Sequence, residues 1–204
     1  MKWLLPLALL VAVGVAQAET VTVCYNYGCL NQAEVHYDES QMAVIRLLVD
    51  NAPSADDERQ RLSLAIGWLL GWAGEQSPIA ADRGGNYADQ GVHGRMDCID
   101  HAATTSQLLQ MIEARGWLHH HRVLPPASRF RYLFAAHYAA QIEELAPVPG
   151  SPSHYVVDSW FRDNGQPAVI NELSNWLAGM NDDENFRTVA VPAPNGVLQP
   201  KEMR

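Results

Sequence analysis

Residues 94–109 read GRMDCIDHAATTSQLL and predict the point at which a glycine-rich loop becomes a helix. Asp97 can cap the first turn of this helix, and Asp100, three residues later, completes a pattern similar to a capping box. Cys98 therefore lies in the opening turn, and Gly116 predicts the end of the helix. The buried stripe is expected to consist of Ile99, Ala102, Thr105, Leu109 and Ile112.

Helices are also expected before this segment. Apolar residues at helical spacing predict one helix over 40–51 and a second that begins after Ser54 and ends around Gly74. Ser54 is a typical N-cap residue, and acidic residues follow it in the favourable first turn. The first half of the chain is therefore expected to be helical. Residues 75–96 contain repeated glycines and predict a loop that lets a substrate backbone come close.

The second half of the chain changes to a pattern typical of strands. Strands are predicted where short runs of β-branched and aromatic residues are bounded by Pro and Gly, at 118–124, 132–142, 155–161 and 167–170. Strands that follow helices predict a single α+β domain with an antiparallel sheet over residues 19–204. After about residue 181 the chain is rich in Pro and polar residues, so we expect a poorly ordered tail.

The first 18 residues have the three parts of a secretory signal peptide. Lys2 supplies the basic start, residues 3–15 supply the apolar core, and residues 16–18 (AQA) supply a small-residue cleavage site. The apolar core is too short to span a bilayer comfortably. We therefore expect a periplasmic or secreted protein that is not embedded in a membrane once the signal is removed. An uncleaved N-terminal anchor helix is the alternative.

The charge of the chain excludes some partners. Residues 19–204 carry 13 Lys or Arg and 23 Asp or Glu, a net charge of −10, because the signal holds one of the 14 basic residues and none of the 23 acidic ones. An acidic protein without clusters of basic residues is a poor binder of nucleic acid or anionic membranes.

Three cysteines are present, and two of them stand close together. Cys24 and Cys29, in CYNYGC, predict a disulfide in an oxidising compartment, which leaves Cys98 as a free thiol. A metal-binding cysteine pair is the alternative, but no His or Cys nearby completes such a site.

Cys98 is the candidate nucleophile. The N-terminus of a helix favours a thiolate, whereas negative charges on Asp97 and Asp100 oppose it. A nearby imidazole would therefore decide whether the thiol ionises. His137, which opens HYAAQI, is the candidate base, and Asp158, in YVVDSWF, is the candidate orienting carboxylate. If the two strands are antiparallel neighbours, these side chains can face each other.

Other assignments of these residues stay open. His154 is the main rival for the base, but it lies about 13 Å along the strand from Asp158, too far for one hydrogen-bonded pair. The histidines at 119–121 point to alternate faces of a strand, which favours a surface tract or incidental metal binding over a built zinc site. Cys98 can also be a small core residue, and His137 a sheet histidine satisfied by a neighbour.

Three segments carry a resemblance to a known family: GRMDCIDHAATTSQLL at 94–109, HYAAQI at 137–142 and YVVDSWFRDNG at 155–165. In order and spacing they are similar to the bacterial transglutaminase-like cysteine proteinases of the papain-like superfamily. In that family a Cys opens a helix, and a His and an Asp lie on successive strands. The resemblance covers about residues 85–176 and implies a transglutaminase-like core.

The resemblance implies a thiol-dependent acyl transfer in which Cys98 is the nucleophile, His137 the general base and then acid, and Asp158 the group that orients the imidazole. Hydrolysis of a peptide or protein amide is favoured over transamidation, and no metal or organic cofactor is required. A non-catalytic periplasmic binding or scaffold protein on the same fold is the alternative, since a fold does not determine a function. A redox role for Cys98 is weaker, because no resolving cysteine lies nearby.

Two accessory sets of residues are less specific. Candidate donors to an oxyanion are the side chains of Gln76 and Asn86 and the backbone N–H of Cys98. Candidate lining residues of a substrate groove, which can equally be core residues, are Tyr87, Trp160 and Trp176.

Overall fold

The computed structural model describes residues 18–86, 88–131 and 135–179. The predicted signal peptide (apart from residue 18), the predicted tail after about residue 181, and Tyr87 lie outside the described residues. The same holds for residues 132–134 at the start of one predicted strand.

A β-hairpin precedes the helices. Strand β1 (Glu19–Tyr25) pairs antiparallel with β2 (Asn31–Tyr37) along its whole length. The expectation of a helical first half is therefore wrong for residues 19–37. The reason lies in the period of two in ETVTV, where Val21 and Val23 are buried while Thr20 is exposed and Thr22 partly exposed.

A disulfide closes the turn of this hairpin, as the spacing of the two cysteines predicts. Cys24 and Cys29 are joined, with their Cα atoms 4.7 Å apart, and Cys98 keeps a free thiol. Because both sulfurs are used in the disulfide, the alternative of a metal-binding cysteine pair is excluded.

The three predicted helices are confirmed. Helix α1 is Glu39–Val49 and helix α2 is Ala55–Gln76, the latter capped by Ser54, which accepts from the backbone N–H of Asp57. A 3-10 turn, Pro78–Ala81, follows α2. Helix α3 is Cys98–Ala114.

A four-stranded antiparallel sheet follows the helices. Its strands β3 (His121–Arg131), β4 (Ala135–Glu144), β5 (His154–Asp158) and β6 (Val169–Glu172) lie side by side in chain order. A short helix, α4 (Leu173–Leu177), comes directly after β6 and was not expected from the sequence. The described part of the chain is therefore an α+β fold with two antiparallel sheets and four α-helices, which confirms the predicted fold class at that level.

One hydrophobic cluster joins the hairpin, the first three helices and the sheet. It includes Tyr37 from β2, Ile45 from α1, Leu69 from α2, Leu109 from α3 and Ile142 from β4. Helix α3 contacts both β1 and the strands of the larger sheet, so it lies between the two sheets. The N-terminus of α3 consequently lies where hairpin, sheet and the preceding loop meet. Across the described ranges, no helix is both long enough and apolar enough to cross a membrane.

The histidines at 119–121 bond the end of α1 and the first turn of α2. His119 bonds Asp50 at 2.9 Å, while His121 is buried and bonds the buried carboxylate of Glu58 at 2.8 Å. The carboxylate of Glu58 also accepts the backbone N–H of His119 and of His120. The expected surface tract is therefore wrong for His121, because a buried carboxylate needs donors and this run supplies them.

Candidate active site

Cys98 is the first residue of α3 and is half-buried. Its helix is capped by Asp97, whose Oδ1 accepts the backbone N–H of Ile99 at 3.0 Å and of Asp100 at 2.9 Å. The thiol lies against β4, with Sγ 3.8 Å from the carbonyl oxygen of Ala136. Within the described residues, the backbone N–H of Cys98 has no hydrogen-bond acceptor, so it is available to a ligand.

His137 and Asp158 form a hydrogen-bonded pair across neighbouring strands. Because Ala140 on β4 pairs with Val157 on β5, the end of β5 that carries Asp158 lies beside the part of β4 that carries His137. The Nε2 of His137 lies 2.7 Å from Oδ2 of Asp158. The Asp158 side chain is only 1% exposed, so the pair is shielded from water.

Asp158 is held by two further donors. The indole Nε1–H of Trp176, on α4, donates to Oδ2 at 3.0 Å, and the backbone N–H of Trp160 donates to Oδ1 at 3.2 Å. Both carboxylate oxygens are therefore engaged, which fixes the plane of the carboxylate and hence the direction of the His137 ring.

The Cys98 side chain also acts on the His137 ring, as a neighbouring group that raises its pKa. Since Nε2 faces Asp158, Nδ1 is the nitrogen that can face the thiol. Burial lowers the pKa of His137, but the interactions with Asp158 and Cys98 outweigh burial and raise the pKa to about 9. A raised pKa favours the imidazolium, which is the form of a histidine that pairs with a thiolate in Cys–His sites.

Three aromatic rings surround the imidazole of His137. The ring centroids of Trp160, Phe161 and Trp176 lie 5.1, 5.4 and 5.6 Å from that of His137. Trp160 and Trp176 are buried, so the structure supports the core interpretation of these two residues and not a groove lining. Their effect on the site is to exclude water from the pair of His137 and Asp158, which strengthens its electrostatic interaction.

The alternative candidates lie elsewhere. His154 opens β5 at the end opposite Asp158 and contacts Ser153 Oγ at 2.9 Å. The Gln76 amide bonds the backbone N–H and carbonyl of His36, and the Asn86 amide bonds a carboxylate within its own loop. Since these amides are already engaged, the Cys98 N–H is the better oxyanion donor of the three candidates.

A buried network that is not predicted by the sequence lies beneath the site. His101, one turn after Cys98, bonds Ser159 Oγ through Nδ1 at 2.8 Å and Asp82 Oδ2 through Nε2 at 2.9 Å. All three residues are buried, and Asp82 also accepts the backbone N–H of Met96. Because the network is shut off from solvent, it ties α3 to the residue after Asp158 rather than meeting substrate. A histidine on the inner face of the helix, three residues after Cys98, was the available signal.

The glycines before Cys98 have a packing role that is not predicted by the sequence. A Cβ on Gly84 would lie 2.5 Å from the carbonyl carbon of Arg162, and one on Gly94 would lie 2.0 Å from the carbonyl oxygen of Pro78. The expectation that glycines make room for a substrate backbone is therefore wrong at these two positions, where they let the loop pack against the chain itself.

Comparison of the chain with protein-family models, with curated proteins and with solved structures finds no match. The resemblance to transglutaminase-like proteinases consequently stays a prediction from the residues.

Proposed function

We propose that this protein is an exported, thiol-dependent acyl-transfer enzyme with a transglutaminase-like core, which hydrolyses amide bonds in a peptide or protein. The observation that carries the proposal is the hydrogen-bonded pair of Asp158 and His137 beside Cys98, whose thiol lies 3.8 Å from the carbonyl oxygen of Ala136, the residue before His137. Three different elements of the fold supply these three candidate residues, β5, β4 and α3. Cys98 lies at a helix N-terminus and is half-buried rather than enclosed in the core, which supports a role at a surface cleft.

Each residue then has a defined step. The Cys98 thiolate attacks the amide carbonyl, and the N–H of Cys98 donates to the oxyanion that forms. His137 gives its proton to the leaving amine, which breaks the C–N bond and leaves a thioester on Cys98. Neutral His137 next takes a proton from water, and the hydroxide displaces Cys98 to release the acid. Asp158 keeps the ring oriented and stabilises its charged form throughout. The scheme uses no metal or organic cofactor.

Two features support the family assignment and the export. A helix that opens with a Cys and packs on a sheet whose successive strands carry His and Asp has the order of elements that the resemblance implies. The disulfide between Cys24 and Cys29 supports an oxidising compartment. Mass spectrometry of the protein from periplasmic and secreted fractions tests the export: a mature chain that begins at Glu19 is expected, and a chain found intact in the cytoplasmic fraction would contradict it.

The direct test of the site is the pH dependence of alkylation at Cys98. An ordinary thiol reacts slowly with iodoacetamide well below its pKa of about 8.5. We expect rapid labelling of Cys98 at about pH 6, because its thiolate is paired with the His137 imidazolium. His137→Ala should abolish this labelling, and Asp158→Asn should weaken it. If labelling has the pH profile of an ordinary thiol in every variant, the enzymatic function is wrong and the protein is a binding or scaffold protein.

His154→Ala is the matched control. His154 is the rival imidazole on the same sheet, but the structure places it at the far end of β5 from Asp158. The variant should therefore label like the wild type. If labelling is lost in His154→Ala and kept in His137→Ala, the assignment of the base is wrong.

A further inference from the structure

The turn of the N-terminal hairpin has an unusual backbone. Residues 26–29, inside the loop that the disulfide closes, all have positive φ angles, of 67° at Asn26, 67° at Tyr27, 65° at Gly28 and 56° at Cys29. Three of these residues are not glycine, and L-residues adopt this conformation at a cost in free energy. A run of this kind persists only where the surroundings compensate for it.

The compensation comes from two carboxylates at the start of α3. Asp100 accepts the backbone N–H of Tyr27 at 2.8 Å and of Cys29 at 2.6 Å, and Asp97 accepts the backbone N–H of Gly28 at 3.1 Å. Three successive N–H groups of the loop thus converge on two carboxylates. Such concave arrangements of backbone N–H groups bind anions. Here the anions belong to the protein itself.

These carboxylates flank the nucleophile. Asp97 precedes Cys98 and Asp100 follows it by two residues, and Asp100 is fully buried. Two negative charges so close to a thiol oppose its ionisation. N–H donors from the loop disperse these charges and hold the carboxylate oxygens toward the hairpin. Asp97 at the same time caps the helix, so its position fixes the first turn that carries Cys98.

The loop also holds the chain on the other side of Cys98. The backbone N–H of Asn26 donates to the carbonyl oxygen of Arg95 at 2.7 Å, and the Asn26 side chain accepts the N–H of Gly94 at 2.8 Å. The residues before and after the nucleophile are therefore both bonded to one loop, whose ends are joined by the disulfide.

We propose that the loop of residues 24–29, closed by its disulfide, is a positioning device for Cys98. It fixes the opening turn of α3 and offsets the charges of Asp97 and Asp100, so that the thiolate at Cys98 forms readily only while the disulfide is intact. This inference rests on the proposed function of Cys98 as a nucleophile.

The test is the pH profile of Cys98 alkylation by iodoacetamide in the full chain with Cys24→Ser and Cys29→Ser together. The double variant removes the disulfide and leaves no other cysteine, so labelling reports Cys98 alone. We expect the profile to move to higher pH and the rate at about pH 6 to fall about tenfold, the size of effect expected when a hydrogen bond to a charged group is weakened. A uniform decrease at every pH, or an unchanged profile, would overturn the inference, because a merely structural disulfide would not move the profile.

Two further measurements keep the test decisive. Gln76→Ala is the matched control, because the Gln76 amide holds the other end of the hairpin through His36 and does not touch the loop. The pH profile of this variant should be unchanged. A shift as large as that of the double variant would overturn the inference.

If the double variant does not fold, the wild type is compared with and without a dithiol, which is oxidised to a disulfide as it reduces the Cys24–Cys29 bond to two thiols. Mapping of the labelled peptides then separates Cys98 from the new thiols, and the same shift is expected.

Failure of this inference differs from failure of the proposed function. If wild-type labelling does not depend on His137, the proposed function fails. If it depends on His137 but the profile is the same with and without the disulfide, only the positioning role of the loop fails.

Discussion

The pair of His137 and Asp158 couples the stability of the protein to pH. The pKa of His137 is lowered by burial but raised overall, from 6.5 to about 9, by its interactions with Asp158 and Cys98. A group whose pKa is higher in the folded state adds stability that is fully present below its unfolded pKa, here about 6.5. That stability is lost as the pH rises through the folded pKa of about 9. The free energy of unfolding should therefore fall between about pH 6.5 and about pH 9.

The size of the effect follows from the rise in pKa. The pKa of His137 rises from 6.5 to about 9. Since each tenfold change in proton affinity is worth about 1.4 kcal/mol, the stabilisation reaches about 3 kcal/mol. His137 is 13% exposed, so screening by solvent removes little of it. Cys98 supplies part of the rise, so in a Cys98→Ala background the share of Asp158 should be about 2 kcal/mol.

The assay is urea denaturation of Cys98→Ala with and without Asp158→Asn, at about pH 6 and about pH 10. Far-UV circular dichroism is the suitable probe, because two tryptophan rings contact His137 and their fluorescence would change with its charge. Asp158→Asn should destabilise the protein more at the lower pH than at the higher one, by about 2 kcal/mol. The pH dependence that other titratable groups give to the free energy of unfolding is the same in both proteins and cancels in this difference. Equal destabilisation at both pH values would refute the coupling.

Three further predictions follow from other contacts. The rate of amide hydrolysis should fall at high pH with an apparent pKa of about 9, because protonated His137 must supply the proton to the leaving amine; a fall centred near 6.5 would contradict this. His101→Ala should lower the free energy of unfolding by about 3 kcal/mol in urea denaturation, because Oδ2 of the buried Asp82 carboxylate loses its donor while Oδ1 keeps the N–H of Met96. A loss below about 1 kcal/mol would show that the bond between His101 and Asp82 is dispensable. Gly94→Ala should destabilise the protein by more than about 2 kcal/mol, and Gly91→Ala by about 1 kcal/mol. Both glycines have a positive φ, but only at Gly94 would an added Cβ meet another part of the backbone. Equal thermal stability of the two variants would count against this prediction.

Local hydrogen bonding explains which parts of the fold could be predicted. The Asp97 cap of α3 and the Ser54 cap of α2 each depend on residues within three positions, so their signals are complete in the sequence. The disulfide of Cys24 and Cys29 is similarly local, at a separation of five residues. The N-terminal hairpin was missed although its alternation is visible, because its turn depends on bonds to Asp100 from residues more than 70 positions away.

In the candidate site, too, local features can be predicted from the sequence and long-range contacts cannot. Cys98, His137 and Asp158 can be chosen from a helix start and from polar residues in apolar strands, and the structure places them together. The donor from Trp176 could not be foreseen, because α4 itself was not expected and its packing depends on the finished sheet.

The sequence by itself determined the caps, the spacing of the disulfide and the chemical types of the three candidate residues, since each depends on neighbours along the chain. Only the tertiary structure decided what surrounds them. His101 meets Asp82 and Ser159 across 19 and 58 residues, and the loop that bonds Asp97 and Asp100 lies 69 to 73 residues earlier in the chain. Such contacts depend on how the helices and sheets pack, and packing selects them because each buried polar group must find a donor or acceptor wherever the fold brings one within reach.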